Sequence, residues 1–130
     1  DAARVGITES LVNNFIKEVV DDKVGGVLAI PALDTVKKVD KKQHITCTEK
    51  RDEIWLAQTP QTFNKKELTK ALLSARRKNI VGTDEAMIME EMGYSIGIVE
   101  GSNRNIKITT KEDWRYAESI MSVTSSQKNP

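Results

Sequence analysis

The 130 residues carry 20 Lys and Arg against 19 Asp and Glu, a formal charge of +1, so no global field exists to hold nucleic acid or an anionic membrane, and any anion site must be local. A composition 38% hydrophobic and 30% charged suits one folded domain of 14.5 kDa, with no apolar run near the roughly 18 to 20 residues of a membrane-spanning helix. The single Cys47 and single His44 exclude an internal disulfide and the usual Cys/His zinc sets, which fits a reducing compartment.

Asp1 opens the chain with no initiator Met, basic segment or apolar signal, so the sequence reads as starting at a cut. After a turn at Gly6, Thr8 is placed to cap a helix whose Leu11, Val12, Phe15, Ile16, Val19 and Val20 recur at i, i+3, i+4 spacing and bury one face. Gly25-Gly26 releases the chain into Val27-Leu28-Ala29-Ile30, an apolar run stopped by Pro31, which predicts a strand covered on both faces. Helix then buried strand is half of a parallel α/β unit.

From about residue 34 to 58, β-branched residues alternate with Lys37, Lys38, Lys41, Lys42, Lys50 and Arg51, predicting a two-stranded ribbon that buries too little to stand alone and so packs on another subunit as an arm. Gln58-Thr59-Pro60-Gln61 carries turn chemistry. Asn64 with Glu67 predicts a capped helix to about Lys78. Thr83 is read as the cap of a short helix that carries Asp84 and Glu85 in its first turn and ends at Gly93. Ser95 to Val99 and Asn105 to Thr109 read as strands around a Glu100-Gly101-Ser102-Asn103 turn. Thr110 with Asp113 opens a last helix, and residues 122–130 read as a polar, flexible tail.

The candidate chemistry lies at the ends of these strands: Asp1 and Arg4, Asp34 and Thr35, Thr83 and Asp84, and Lys107. Carboxylates beside cations and threonine hydroxyls are what a metal-bound phosphate requires, and open α/β sheets bind ligands beyond strand ends. Taken singly, each residue also fits a surface charge or a helix cap. The Lys37 to Lys42 run has interspersed acids and no aromatic platform, so it reads as a solvated ribbon and not a nucleic-acid patch.

The strings Asp1-Ala-Ala-Arg4, Ile30-Pro-Ala-Leu-Asp-Thr-Val-Lys37, Trp55-Leu-Ala-Gln-Thr-Pro-Gln-Thr-Phe63, Thr83-Asp-Glu-Ala86 and Asn105-Ile-Lys-Ile-Thr-Thr-Lys-Glu-Asp113 resemble, in order and spacing, those of the 2-C-methyl-D-erythritol 4-phosphate cytidylyltransferases. Val5 stands where that family usually has proline. The nearest competitor is the ribitol 5-phosphate cytidylyltransferase branch, which typically has Val where Ala3 stands. The resemblance implies an α/β fold: the C-terminal part of a Rossmann-like, three-layer nucleotidyltransferase domain over residues 1–121, with a projecting β-hairpin dimerisation arm. It further implies transfer of a cytidylyl group from CTP to the polyol phosphate, in a homodimer with neither nucleic-acid nor membrane partner, in a bacterial cytoplasm or a plastid-type organelle.

By the same resemblance, Lys107 and Asp1 are catalytic. Asp1 meets Mg²⁺ or another divalent cation, Ala2 and Arg4 line the acceptor pocket, and Thr59 and Thr83 hydrogen-bond within it. Thr35 and Arg51, on the arm, would serve the partner's acceptor phosphate. The family's Gly-rich loop for the CTP phosphates has no counterpart among these residues: no Gly-x-Gly stretch occurs, and Gly25-Gly26 lacks adjacent Arg or Lys on its C-terminal side. The chain alone is therefore expected to be inactive.

Overall fold

A computed structural model describes residues 3–20 and 24–126. In chain order the elements are α1 (Glu9–Val20), β1 (Gly25–Pro31), β2 (Lys37–Val39), β3 (Ile45–Thr48), a 3-10 turn (Arg51–Glu53), β4 (Trp55–Phe63), α2 (Lys65–Lys78), α3 (Glu85–Glu91), β5 (Gly97–Glu100) and α4 (Lys111–Ser126). The main sheet is mixed. Central β1 pairs antiparallel with β4 and parallel with β5, so the α/β class expected from the sequence is present.

Thr8 caps α1 as anticipated, its Oγ1 accepting from the Leu11 N–H at 3.2 Å. The apolar stripe of that helix meets the sheet through Phe15 and Val19, which pack with Leu28 and Val99 in the core. Phe15 and Leu28 are fully buried, and removal of each side chain from water contributes about 1.5 to 3 kcal/mol. Val27 and Ala29 alternate to the other face, where a cleft of about 180 Å³ has Ala86 and Glu90 of α3 on its far side. Both faces of β1 are thus covered, as its unbroken apolar run requires.

Several boundaries differ from the sequence reading. Residues 58–61 form no turn; they lie inside β4. Val27 pairs with Gln61 and Ala29 with Ala57, so Gln58, Thr59 and Pro60 oppose Leu28 alone and make a bulge. A bulge is one of the few places where a strand accepts proline, which has no N–H for the ladder. Trp55 to Gln58, expected at the end of the arm, therefore belong to the main sheet. The ribbon itself is real but shorter: β2 and β3 pair only with each other, every residue of both exposed. Its tip is held by Asp40, whose Oδ1 accepts from the Lys42 and His44 N–H groups at 2.8 and 3.0 Å.

Asn64 caps α2 by accepting from the Lys66 and Glu67 N–H groups. The cap of α3 is Asp84 and not Thr83, since its Oδ1 accepts from Met87 N–H at 2.9 Å. Gly93, at φ +82°, ends that segment in a backbone region glycine enters without strain. Only β5 forms from the anticipated pair of C-terminal strands. The other is reduced to an isolated antiparallel bridge between Arg4 and Lys107, with the Ile108 N–H donating to the Ala3 carbonyl at 2.7 Å. The expected tail is helical for its first part, because α4 continues to Ser126; the rest of that tail lies outside the described residues.

Candidate active site

The bulge in β4, the Arg4–Lys107 bridge and the turn that begins α3 surround a polar cavity of about 400 Å³. Its lining includes Arg4, Thr59, Thr83 and Lys107, four residues singled out from the sequence, together with Gln58, Gln61, Asp84 and Glu85. A larger cavity, about 590 Å³, lies between the residue 5–8 loop, α1 and α4; among the described residues Arg104 is its one ionisable lining group. Chemistry and not volume distinguishes the smaller one.

Each wall has a local cause. Arg4 donates from Nη1 to the Asn105 carbonyl at 2.7 Å, which fixes the guanidinium beside Lys107. Its partial burial lowers the Arg4 pKa by desolvation, yet an arginine remains cationic at neutral pH. On the opposite side Gln61 joins β4 to α3: its Nε2 donates to Asp84 Oδ2 at 2.8 Å, and its Oε1 accepts from Ala86 N–H at 3.3 Å. Thr83, at the rim, has its N–H and hydroxyl directed at Met87 Sδ, at 3.4 and 3.7 Å. The cavity thus sets two cations against hydroxyls, amides and carboxylates, an arrangement suited to an anionic head on a hydroxylated body.

An amide pair joins the lining to the residues behind it. Gln58 is buried, with Nε2 donating to the Ser102 carbonyl at 2.9 Å and Oε1 accepting from Ser102 N–H at 3.3 Å. Asn105, with no exposed surface, donates from Nδ2 to Gln58 Oε1 at 3.2 Å and to the Thr59 carbonyl at 2.8 Å. A Cβ at Gly101 would meet Gln58 Oε1 and force that amide to shift. Sequence reading missed Gln58, Gln61 and Asn105 as contributors. The first two were absorbed into a supposed turn, and Asn105 has partners 46 and 47 residues away, so no local pattern announces it.

The remaining nominated residues are elsewhere. Arg51 starts the 3-10 turn, exposed, with Nη1 donating to the Leu33 carbonyl at 2.7 Å. Thr35 is exposed in the connection from β1 to β2. Neither lines the cavity, and both sit at the base of the ribbon. Asp1 and Ala2 lie outside the described residues. Among the described residues no group of three His, Cys, Asp or Glu side chains is placed to hold a metal ion, and both oxygens of Asp84 are already engaged by Met87 and Gln61.

The family model for 2-C-methyl-D-erythritol 4-phosphate cytidylyltransferase matches residues 1–123. The chain belongs to the 2-C-methyl-D-erythritol 4-phosphate cytidylyltransferase family. A relative of that name from Paraburkholderia phytofirmans is 44% identical over 125 residues, 94% of this chain and 52% of its own length; one from Nitrosomonas eutropha is 42% identical over 122 residues. The crystal structure of the family member from Francisella tularensis superposes with a TM-score of 0.84 at 39% identity, covering 92% of this chain and 56% of that one. That from Thermus thermophilus gives 0.82 at 29% identity, covering 92% and 58%. The chain spans about half the length of the curated cytidylyltransferases it matches. No helix among the described residues is long and apolar enough to cross a membrane.

Proposed function

We propose that this chain supplies the acceptor side of a cytidylyltransferase that converts CTP and 2-C-methyl-D-erythritol 4-phosphate to CDP-methylerythritol and pyrophosphate, a step of isoprenoid-precursor synthesis. The observation that carries the reading is the convergence of Arg4, Thr59, Thr83 and Lys107, far apart in sequence, on one cavity. An oxygen of the acceptor phosphate attacks the α-phosphorus of CTP, forming one P–O bond while the bond to the bridging oxygen breaks and pyrophosphate leaves with its electron pair. Both reactants are anions, so the protein's work is alignment and the placing of cations where charge grows. Arg4 binds the acceptor and fixes the wall on which Lys107 stands; Lys107 faces the α-phosphoryl oxygens, and Thr59 and Thr83 orient the acceptor's hydroxyls.

Asp1, with the Ala2 backbone, completes the pocket in this reading. The described side chains form no divalent-cation site of their own, so a Mg²⁺ ion would be held by Asp1 and by phosphate oxygens, supplying charge neutralisation when bound. Thr35 and Arg51 serve the acceptor phosphate of a partner subunit through the ribbon, and the working form is a homodimer in a bacterial cytoplasm or plastid. Residues 1–130 contain no Gly-rich cradle for a triphosphate and do not turn over CTP unaided.

The test is an assay of a chain of the relatives' full length that contains these residues. Pyrophosphate release should require CTP, a divalent cation and methylerythritol phosphate, while residues 1–130 alone release none. A preference for ribitol 5-phosphate would move the protein to the other branch, and activity of residues 1–130 alone would remove the need for a separate CTP cradle.

A further inference from the structure

We infer that Asn105 is a positioning residue for this reaction, setting the distance between the Arg4–Lys107 wall and the Thr59 wall of the cavity; the inference rests on the cytidylyl-transfer reading above. Between the end of β5 at Glu100 and the start of α4 at Lys111, the backbone forms no regular element beyond the bridge to Arg4. That segment carries Lys107 and is fastened by the Gly101 N–H to the Ala29 carbonyl of β1 and by side chains. Asn105 is central to the fastening: its Nδ2 holds the Thr59 carbonyl and Gln58 Oε1, while its own carbonyl holds Arg4 Nη1. One fully buried residue thus ties three parts of the lining together without lining the cavity itself. The two Nδ2 contacts are both to acceptors, so this position needs a donor and not merely a polar group. A shift of about 1 Å at a reacting group can cost on the order of 10²-fold in rate.

Asn105→Asp separates positioning from bulk loss of structure. The new carboxylate would face two acceptor oxygens in a dry site, and burial with these neighbours raises its pKa. Once protonated, its single O–H restores one of the two bonds that Nδ2 makes. In the full-length protein, kcat of Asn105→Asp relative to wild type at the same pH should fall about 10²-fold near pH 8.5 and recover at least about fivefold near pH 6, with KM for CTP within about threefold. Asn105→Ala should be impaired without recovery. The charged groups facing the segment, Arg4 and Lys107 on the bridge with Asp84 and Glu85 across the cavity, are common to variant and wild type, so their titration cancels in the ratio.

An activity-independent measurement accompanies the kinetics. The Ile108 N–H, which donates to the Ala3 carbonyl across the bridge, should exchange faster than wild type in Asn105→Asp at the higher pH and approach wild type at the lower. If Asn105→Asp does not fold, Gln58→Glu keeps the acceptor for Asn105 but loses the donor to the Ser102 carbonyl, and should show the same acid recovery. A pH-independent ratio, activity within about threefold of wild type near pH 8.5, or unaltered Ile108 exchange would overturn the inference. A wild-type protein that transfers no cytidylyl group would instead sink the functional reading, and Ile108 exchange would still decide whether Asn105 holds the bridge.

Discussion

Arg4 and Lys107 are neighbours with different duties. The Arg4 guanidinium is partly buried and spends a donor on the Asn105 carbonyl, so its removal would disturb both the wall and any ligand on it. Lys107 is exposed on that wall and lines the cavity, which makes its substitution the cleaner probe of charge. In the full-length protein, Lys107→Ala should lower kcat on the order of 10²-fold while KM for CTP changes little, because a cation beside the transferring group gains most from charge developed in the transition state. Steady-state kinetics check this; a variant within about threefold of wild type would take Lys107 out of the mechanism.

At the scale of elements, the bulge of β4 and the cap of α4 decide how the site is held. Without the bulge, strand alternation would carry Gln58, Thr59 and Gln61 past different partners, and the Thr59 carbonyl would not meet Asn105. The start of α4, only a few residues beyond Lys107, is fixed by a reciprocal cap. Asp113 Oδ2 accepts from the N–H and hydroxyl of Thr109 and the N–H of Thr110, at 2.9, 2.8 and 2.8 Å, while Asp113 N–H donates back to Thr110 Oγ1 at 3.1 Å. The bonds from the Thr109 backbone and hydroxyl, then those of Thr110, pull the Asp113 pKa from 3.8 down to about 2. A depressed carboxylate pKa contributes stability above its unfolded value, near 4, and loses it as the pH falls through the folded value. Asp113→Ala should therefore lower the melting temperature at pH 7, with the difference from wild type shrinking between about pH 4 and pH 2. Thermal unfolding across that range is the check, and a difference constant with pH would deny the cap its electrostatic part.

For the whole molecule, the question is where the ribbon's cation acts. Arg51 lies outside the cavity lining, bonded to the Leu33 carbonyl at the ribbon's base, and β2 with β3 exposes every residue. Such a ribbon is poorly stabilised by its own burial. If Arg51 serves a neighbouring subunit, mixing full-length Arg51→Ala and Lys107→Ala chains should restore activity, because one site of each mixed dimer then contains both intact residues. Random exchange makes about half the dimers mixed, each with one competent site of two, so recovery should approach roughly a quarter of wild type. Activity that stays at the level of the separate variants, with exchange verified by mass, would leave the ribbon a dimerisation role at most.

The elements written in local pattern were legible from the sequence: the stripe of α1 with its Thr8 cap, the apolar run of β1, the Asn64 start of α2 and the Thr110–Asp113 cap of α4. Caps and periodicity act over three or four residues, so the sequence contains the whole interaction. The motif strings nominated Arg4, Thr59, Thr83 and Lys107 one by one, but tertiary structure alone placed them around one cavity. It also turned the Gln-Thr-Pro-Gln string from a supposed turn into a bulged strand, since pairing with β1 overrides the local preference of proline and polar residues. The amide pair of Gln58 and Asn105 was invisible in the sequence because a buried amide gains its value only from a partner that folding brings across 47 residues.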